Sequence, residues 1–130
     1  MAVFLKALPQ REAEAGKREA PTAALAERGG KLYARHCAEC HGDHGEGAAG
    51  AYPPLAGNRA VTMDPPANVV RIVLNGGFLP ATARNPRPYG MPPFVHVLDD
   101  TEVAAVTSFI RTSWGNRAAE VTVQQVQRYR

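Results

Sequence analysis

Cys37-Ala38-Glu39-Cys40-His41 decides how the rest of this chain is read. A Cys-x-x-Cys-His run is the attachment pattern of a c-type haem. Two thiols on one turn of backbone can each add to a vinyl group of the same porphyrin. The His that follows then lies beneath the ring, with an imidazole nitrogen free for iron. Cys37 and Cys40 are also the only two cysteines, so no thiol is left over for a disulfide. A thioredoxin-like dithiol would want a preceding strand and a βαβ setting, whereas the segment leading into Cys37 has helical periodicity. A zinc site made from Cys37, Cys40 and either His41 or His44 lacks the second Cys or His pair that completes four ligands. Zinc and dithiol redox chemistry stand as the alternatives.

Upstream of the motif, Leu25, Gly29, Leu32, Tyr33 and His36 recur at helical spacing behind Thr22, a natural N-cap. Gly29 and Gly30 cost such a helix about 1 kcal/mol each, a cost tolerated where another helix crosses closely. Downstream, residues 42–63 read as loop. A short helix is expected from Pro66 to Leu74, with Val69, Val70 and Val73 on one face and Asn75-Gly76-Gly77 as its stop. A second Pro-rich loop runs through Pro86, Pro88, Met91, Pro92 and Pro93. The last clear helix opens on a capping box, Asp99 with Glu102, flanked by Leu98 and Val103 as a hydrophobic staple. Val103, Val106, Phe109, Ile110 and Trp114 form its apolar stripe, and Gly115 is its stop. Val121, Val123 and Val126 fit neither period well, so residues 117–130 read as an outer extension, an arm or a short helix.

The chain has 130 residues and a formal charge of +3. One compact domain is expected, in which a flat apolar cofactor supplies core that a small polypeptide cannot build alone. A haem adds about two propionate negatives, which brings the holoprotein near neutrality and argues against nucleic-acid binding. No apolar run reaches the roughly 20 residues of a membrane span. Covalent haem is attached outside the bacterial cytoplasm, so a periplasmic setting is expected, yet Met1–Pro9 has too short an apolar stretch for a leader. Residues 1–20 read as a stub and linker belonging to a preceding region, and 21–116 as the functional domain.

These features resemble the class I cytochromes c over roughly residues 21–116. The resemblance rests on Cys37–His41, on Gly29 and Tyr33, on Pro53, Leu55 and Gly57 in a Pro-x-Leu-x-Gly run, on Gly90-Met91-Pro92, and on the closing amphipathic helix. It implies an all-α fold of three to five helices with long loops around one covalent haem c. It also implies that Gly29 and Tyr33 meet Val106, Phe109 and Ile110 where the first and last helices cross. The Pro53 carbonyl would accept a hydrogen bond from His41 Nδ1 and orient the ring. Tyr-Pro-Pro-Leu-Ala-Gly-Asn, Met-Pro-Pro-Phe and Phe-Ile-Arg-Thr-Ser-Trp-Gly-Asn are further similar to the C-terminal domain of multihaem cytochrome subunits of bacterial membrane-bound alcohol, gluconate and sugar dehydrogenases. Those subunits carry three haem motifs; this chain has one.

Given a haem, Met91 is the expected sixth ligand, in a Pro-braced loop long enough to cross to the far face of the ring. A Met among apolar neighbours is otherwise core filler, and His96 is the rival ligand. Candidate cofactor-binding residues are therefore Cys37, Cys40, His41, Met91, Tyr52, Pro53, Leu55, Arg59 and Phe94, with His41 and Met91 on the metal. Arg59, Arg84 and Arg87 are propionate partners or plain solvated cations, and Tyr52 and Tyr89 are haem-edge donors or plain packing. His36 and His44 read as packing or surface residues. The expected function is a single-electron carrier rather than an enzyme, drawing on a dehydrogenase subunit or neighbouring haem and delivering to a quinone site or another cytochrome. The competing reading is a haem enzyme or gas sensor whose Met91 dissociates.

Overall fold

The computed structural model describes residues 22–130; the stub expected over residues 1–20 lies outside them. Helix α1 (Ala23–His36) starts where Thr22 Oγ1 accepts the Leu25 amide at 3.4 Å. It crosses α5 (Asp100–Thr112), whose start is the capping box read from the sequence: Asp99 Oδ1 accepts the Glu102 amide at 2.8 Å and Glu102 Oε2 accepts the Asp99 amide at 3.0 Å. Gly29 allows the crossing, because a Cβ there would fall onto the Ala105 carbonyl and 2.6 Å from Phe109 Cβ. Tyr33 lies between Phe109 and Trp114, with ring centroids 5.6 and 4.8 Å away, and its hydroxyl donates to the Gly42 carbonyl at 2.6 Å. Ala105 was not among the expected partners. Its methyl adds little to an apolar stripe, yet its backbone makes the tightest approach.

Single turns α2 (Ala38–His41) and α3 (Arg59–Thr62) follow; α3 lies within the stretch read as loop. Helix α4 (Ala67–Asn75) buries Val69, Val70, Val73 and Leu74 against α5. It ends at Gly76, whose φ of 65° with ψ of -166° is a backbone conformation essentially confined to glycine. Strand β1 (Gly77–Phe78) pairs antiparallel with β2 (Gly90–Met91), Gly77 opposite Met91, so the chain returns beside the end of α4. The result is a helix-dominated fold with a two-residue ribbon.

The last segment departs from expectation. Residues 117–130 are not an outer arm: Val121 and Val126 are buried in the same cluster as Val70 and Val103. Helix α6 (Val123–Tyr129) has its own capping box, Thr122 with Gln125, and Ser108 Oγ both accepts from the Val121 amide and donates to its carbonyl. The valines fit neither period because an extended stretch and a helix share the burial. Arg111 explains why α5 is buried on nearly every side. Its side chain is 0% exposed. It donates to the carbonyls of Val61 and Met63 at 2.8 Å and of Ala119 at 2.9 Å, and pairs with Asp64 at 2.5 Å. One guanidinium thereby ties α5 to the α3–α4 loop and to the tail. No helix among the described residues is long and apolar enough to cross a membrane.

Candidate functional site

Cys37 is the residue at which α1 stops and α2 begins, its amide still bonded to the Tyr33 carbonyl at 2.8 Å. The Cys37 carbonyl accepts from the Cys40 amide at 3.2 Å and the His41 amide at 2.9 Å, so both thiols and the imidazole issue from one turn. The following loop folds back on that turn. Gly47 donates to the His41 carbonyl at 2.8 Å, and the Gly45 carbonyl accepts from Leu55 at 2.7 Å and Ala56 at 3.0 Å. Asn116 fastens the loop to the end of α5: its side-chain oxygen accepts from the Gly57 amide at 2.9 Å, and its Nδ2 donates to the Leu55 and Ile110 carbonyls at 3.1 and 2.8 Å. Through this folding Pro53 reaches His41, whose Nδ1 lies 3.0 Å from the Pro53 carbonyl. A carbonyl can only accept, so Nδ1 is the donor of this bond, and in the neutral ring Nε2 is the nitrogen left with a lone pair.

His41 faces a cleft of two adjoining lobes, about 160 and 520 Å³ in volume. Both are lined by Cys37, His41, Pro53, Ile72, Leu79 and Met91. Cys40, Tyr52 and Phe94 border the first, and Leu55 borders the second. Arg59 is exposed on α3 and lines neither lobe; the polar groups at the second lobe are Asn58, Asn68, Arg71 and Asn75. Arg84 and Arg87 also lie off the lining, while Tyr89 borders the first lobe and stacks on Tyr52 with centroids 5.2 Å apart. His36 packs edge-on to Phe94 at 5.8 Å. His96 is exposed and borders a separate shallow groove with Asp99 and Arg130. Sequence reading quoted Arg111 and Asn116 within a similar stretch but gave them no role; they hold the loops that form the cleft. The available signal was a cation on an otherwise apolar helix stripe, but two of its carbonyl partners lie 48 and 50 residues away.

The residues present fit a haem. Two thiols from one turn border the cleft, an imidazole is oriented by its Nδ1, and a thioether sulfur borders the same cleft. Phe78, at 80% exposed, leaves an aromatic ring in water at the cleft mouth beside Leu79 and Tyr89. Apolar side chains exposed around a cleft mark a binding surface. Burial, with the neighbouring Cys40, pushes the Cys37 thiol up to about 11. A dithiol redox centre works by the opposite shift. No group of three or more His, Cys, Asp or Glu gathers into a metal site among the described residues.

The cytochrome c family model matches residues 26–114. The cytochrome c subunit of a quinone-dependent alcohol dehydrogenase from Gluconobacter oxydans is 36% identical over 99% of this chain and 29% of its own length. The gluconate 2-dehydrogenase cytochrome c subunit of Pantoea cypripedii is 39% identical over 75% of this chain and 23% of its own. Cytochrome c-552 of Thermus thermophilus is 34% identical over 68% of this chain and 69% of its own. The chain thus spans less than a third of the dehydrogenase subunits it matches, but most of the smaller cytochrome. With that match, the Cys-x-x-Cys-His turn and the apolar cleft above it, the chain belongs to the cytochrome c family of electron carriers.

Proposed function

We propose that the chain carries single electrons on one covalently bound haem c ligated by His41 and Met91. The observation that carries this reading is that His41, oriented by Pro53, and Met91, set by the β2 edge, line one apolar cleft bordered by Cys37 and Cys40. Bound there, haem supplies a reversible one-electron iron couple. The chain's own residues do the rest. Cys37 and Cys40 tether the group, and the Pro53 carbonyl holds His41 in one tautomer with Nε2 as donor. Met91, a soft neutral donor, favours the ferrous state and raises the potential relative to a second His. Leu55 and Val69 give the interior of the cleft an apolar lining, while Ile72, Phe78, Leu79 and Tyr89 frame an edge near the surface. With His41 and Met91 both holding the iron, the chain would leave no open site for oxygen or peroxide.

The relatives' names, cytochrome subunits of alcohol (quinone), gluconate and fructose dehydrogenases, support a dehydrogenase as the source of electrons. In this reading the electrons arrive directly or through a neighbouring haem and leave to a quinone site or another cytochrome, in the periplasm, because covalent haem is attached outside the bacterial cytoplasm. Denaturing mass spectrometry of the chain from a host that matures c-type haem tests the attachment: one haem adduct is expected, lost in Cys37→Ala/Cys40→Ala. Carbon monoxide binding to the reduced protein at neutral pH would favour the enzyme or sensor reading instead.

A further inference from the structure

We propose that Arg130 is a positioning residue for Met91, and that α6 is the brace through which it acts; the inference rests on the Met91 ligation proposed above. Arg130 Nη1 donates to the Val95 carbonyl at 2.6 Å, Nη2 donates to the Leu98 carbonyl at 2.9 Å, and Nε pairs with Asp100. The turn it grips is closed on itself, with the Val97 and Leu98 amides donating to the Phe94 carbonyl at 3.0 and 2.9 Å. Pro92 and Pro93 alone separate Met91 from Phe94. Their rings fix φ, so a displacement of the turn passes to Met91 with little slack.

The loop is held from two directions. The end of α4 holds it through backbone, the Phe94 and Val95 amides donating to the Val73 and Leu74 carbonyls at 3.0 Å. Arg130 holds it through a side chain, from a segment beyond residues 26–114 matched by the family. A guanidinium fork sets direction as well as distance, and its charged donors bind carbonyls more strongly than neutral ones. The brace is itself anchored. Val126 is buried, Thr122 and Gln125 cap the helix, and Arg71, which lines the second lobe, lies 5.1 Å over the Tyr129 ring. Helix α6 therefore ties the Met91 loop to the wall formed by α4.

Imidazole titration of the ferric holoprotein, full chain, tests this, because imidazole must displace Met91 and the loss is read in the weak long-wavelength sulfur-to-iron band. Arg130→Ala should bind imidazole about tenfold more tightly than the unmodified protein, with Arg130→Lys between them. Asp100→Asn, which loosens Arg130 without removing it, should shift affinity the same way by less. Tyr33→Phe, at the α1–α5 crossing, should lower Tm yet leave imidazole affinity within about twofold. Arg130→Ala within about twofold of the unmodified protein overturns the proposal, as does Tyr33→Phe tightening imidazole binding equally. If the unmodified protein lacks the sulfur-to-iron band, Met91 ligation fails and this inference falls with it. If the band is present and Arg130→Ala is inert, only this inference falls.

Discussion

The Gly29 α-carbon faces the Ala105 carbonyl with no room for a methyl group between them. Gly29→Ala should therefore destabilise by about 2–3 kcal/mol through overpacking, despite the better helix propensity of Ala. Gly30 is the internal control, since a methyl there would meet only the Phe109 ring edge, at 3.3 Å. Gly30→Ala should change stability by less than about 1 kcal/mol. Thermal melts of both variants measure the contrast, and equal losses would show that the crossing is not the cause.

Arg111 satisfies three carbonyls from two separate segments. Arg111→Met fills similar volume but leaves those carbonyls without their donor, and should cost about 3 kcal/mol or more. Asp64 is 44% exposed on its side of the pair, so Asp64→Asn should cost under about 1 kcal/mol. Urea unfolding of the two variants should separate them clearly.

Tyr33 gives a pH dependence. Burial holds its hydroxyl well above the ordinary value, at about 12 against 10.0. The folded state binds this proton more tightly than the unfolded chain does, so the contribution is complete below pH 10 and is lost as pH rises from 10 toward 12. Stability should hold steady through neutral pH as far as Tyr33 is concerned and fall across that alkaline window. Tyr33→Phe should lose about 1 kcal/mol at neutral pH, with its bond to Gly42, and flatten the alkaline fall.

Met91 borders the cleft, whereas His96 is exposed beside a different groove. Met91→Ala should abolish the sulfur-to-iron band and lower the reduction potential, and His96→Ala should do neither. Reversal of the two results would assign the sixth ligand to His96.

The two ends of the chain should respond oppositely to truncation. Removing residues 1–20 should leave the haem spectrum, potential and Tm nearly unchanged, since α1 and α5 already close the core by crossing at Gly29. Removing residues 117–130 takes Val121 and Val126 out of that core and the Ala119 carbonyl from Arg111. That truncation should abolish cooperative unfolding.

What the sequence determined by itself is local or repeats at short spacing. Cys37, Cys40 and His41 lie within one turn; the Asp99–Glu102 box, the α4 valines and the Gly76 stop each act over a few residues. Patterns of that kind are legible because the groups that interact are near neighbours along the chain. Only tertiary structure decided that Ala105 rather than Val106 makes the closest approach to Gly29, that Arg111 serves loops some fifty residues away, and that the tail belongs to the core. The Thr122–Gln125 capping box is a local signal that the sequence reading did not use, and nothing local says that Val126 joins the cluster of Val70 and Val103. Burial and the pairing of polar groups far apart in the chain depend on which surfaces meet. A one-dimensional pattern encodes that meeting only through the summed packing of the whole domain.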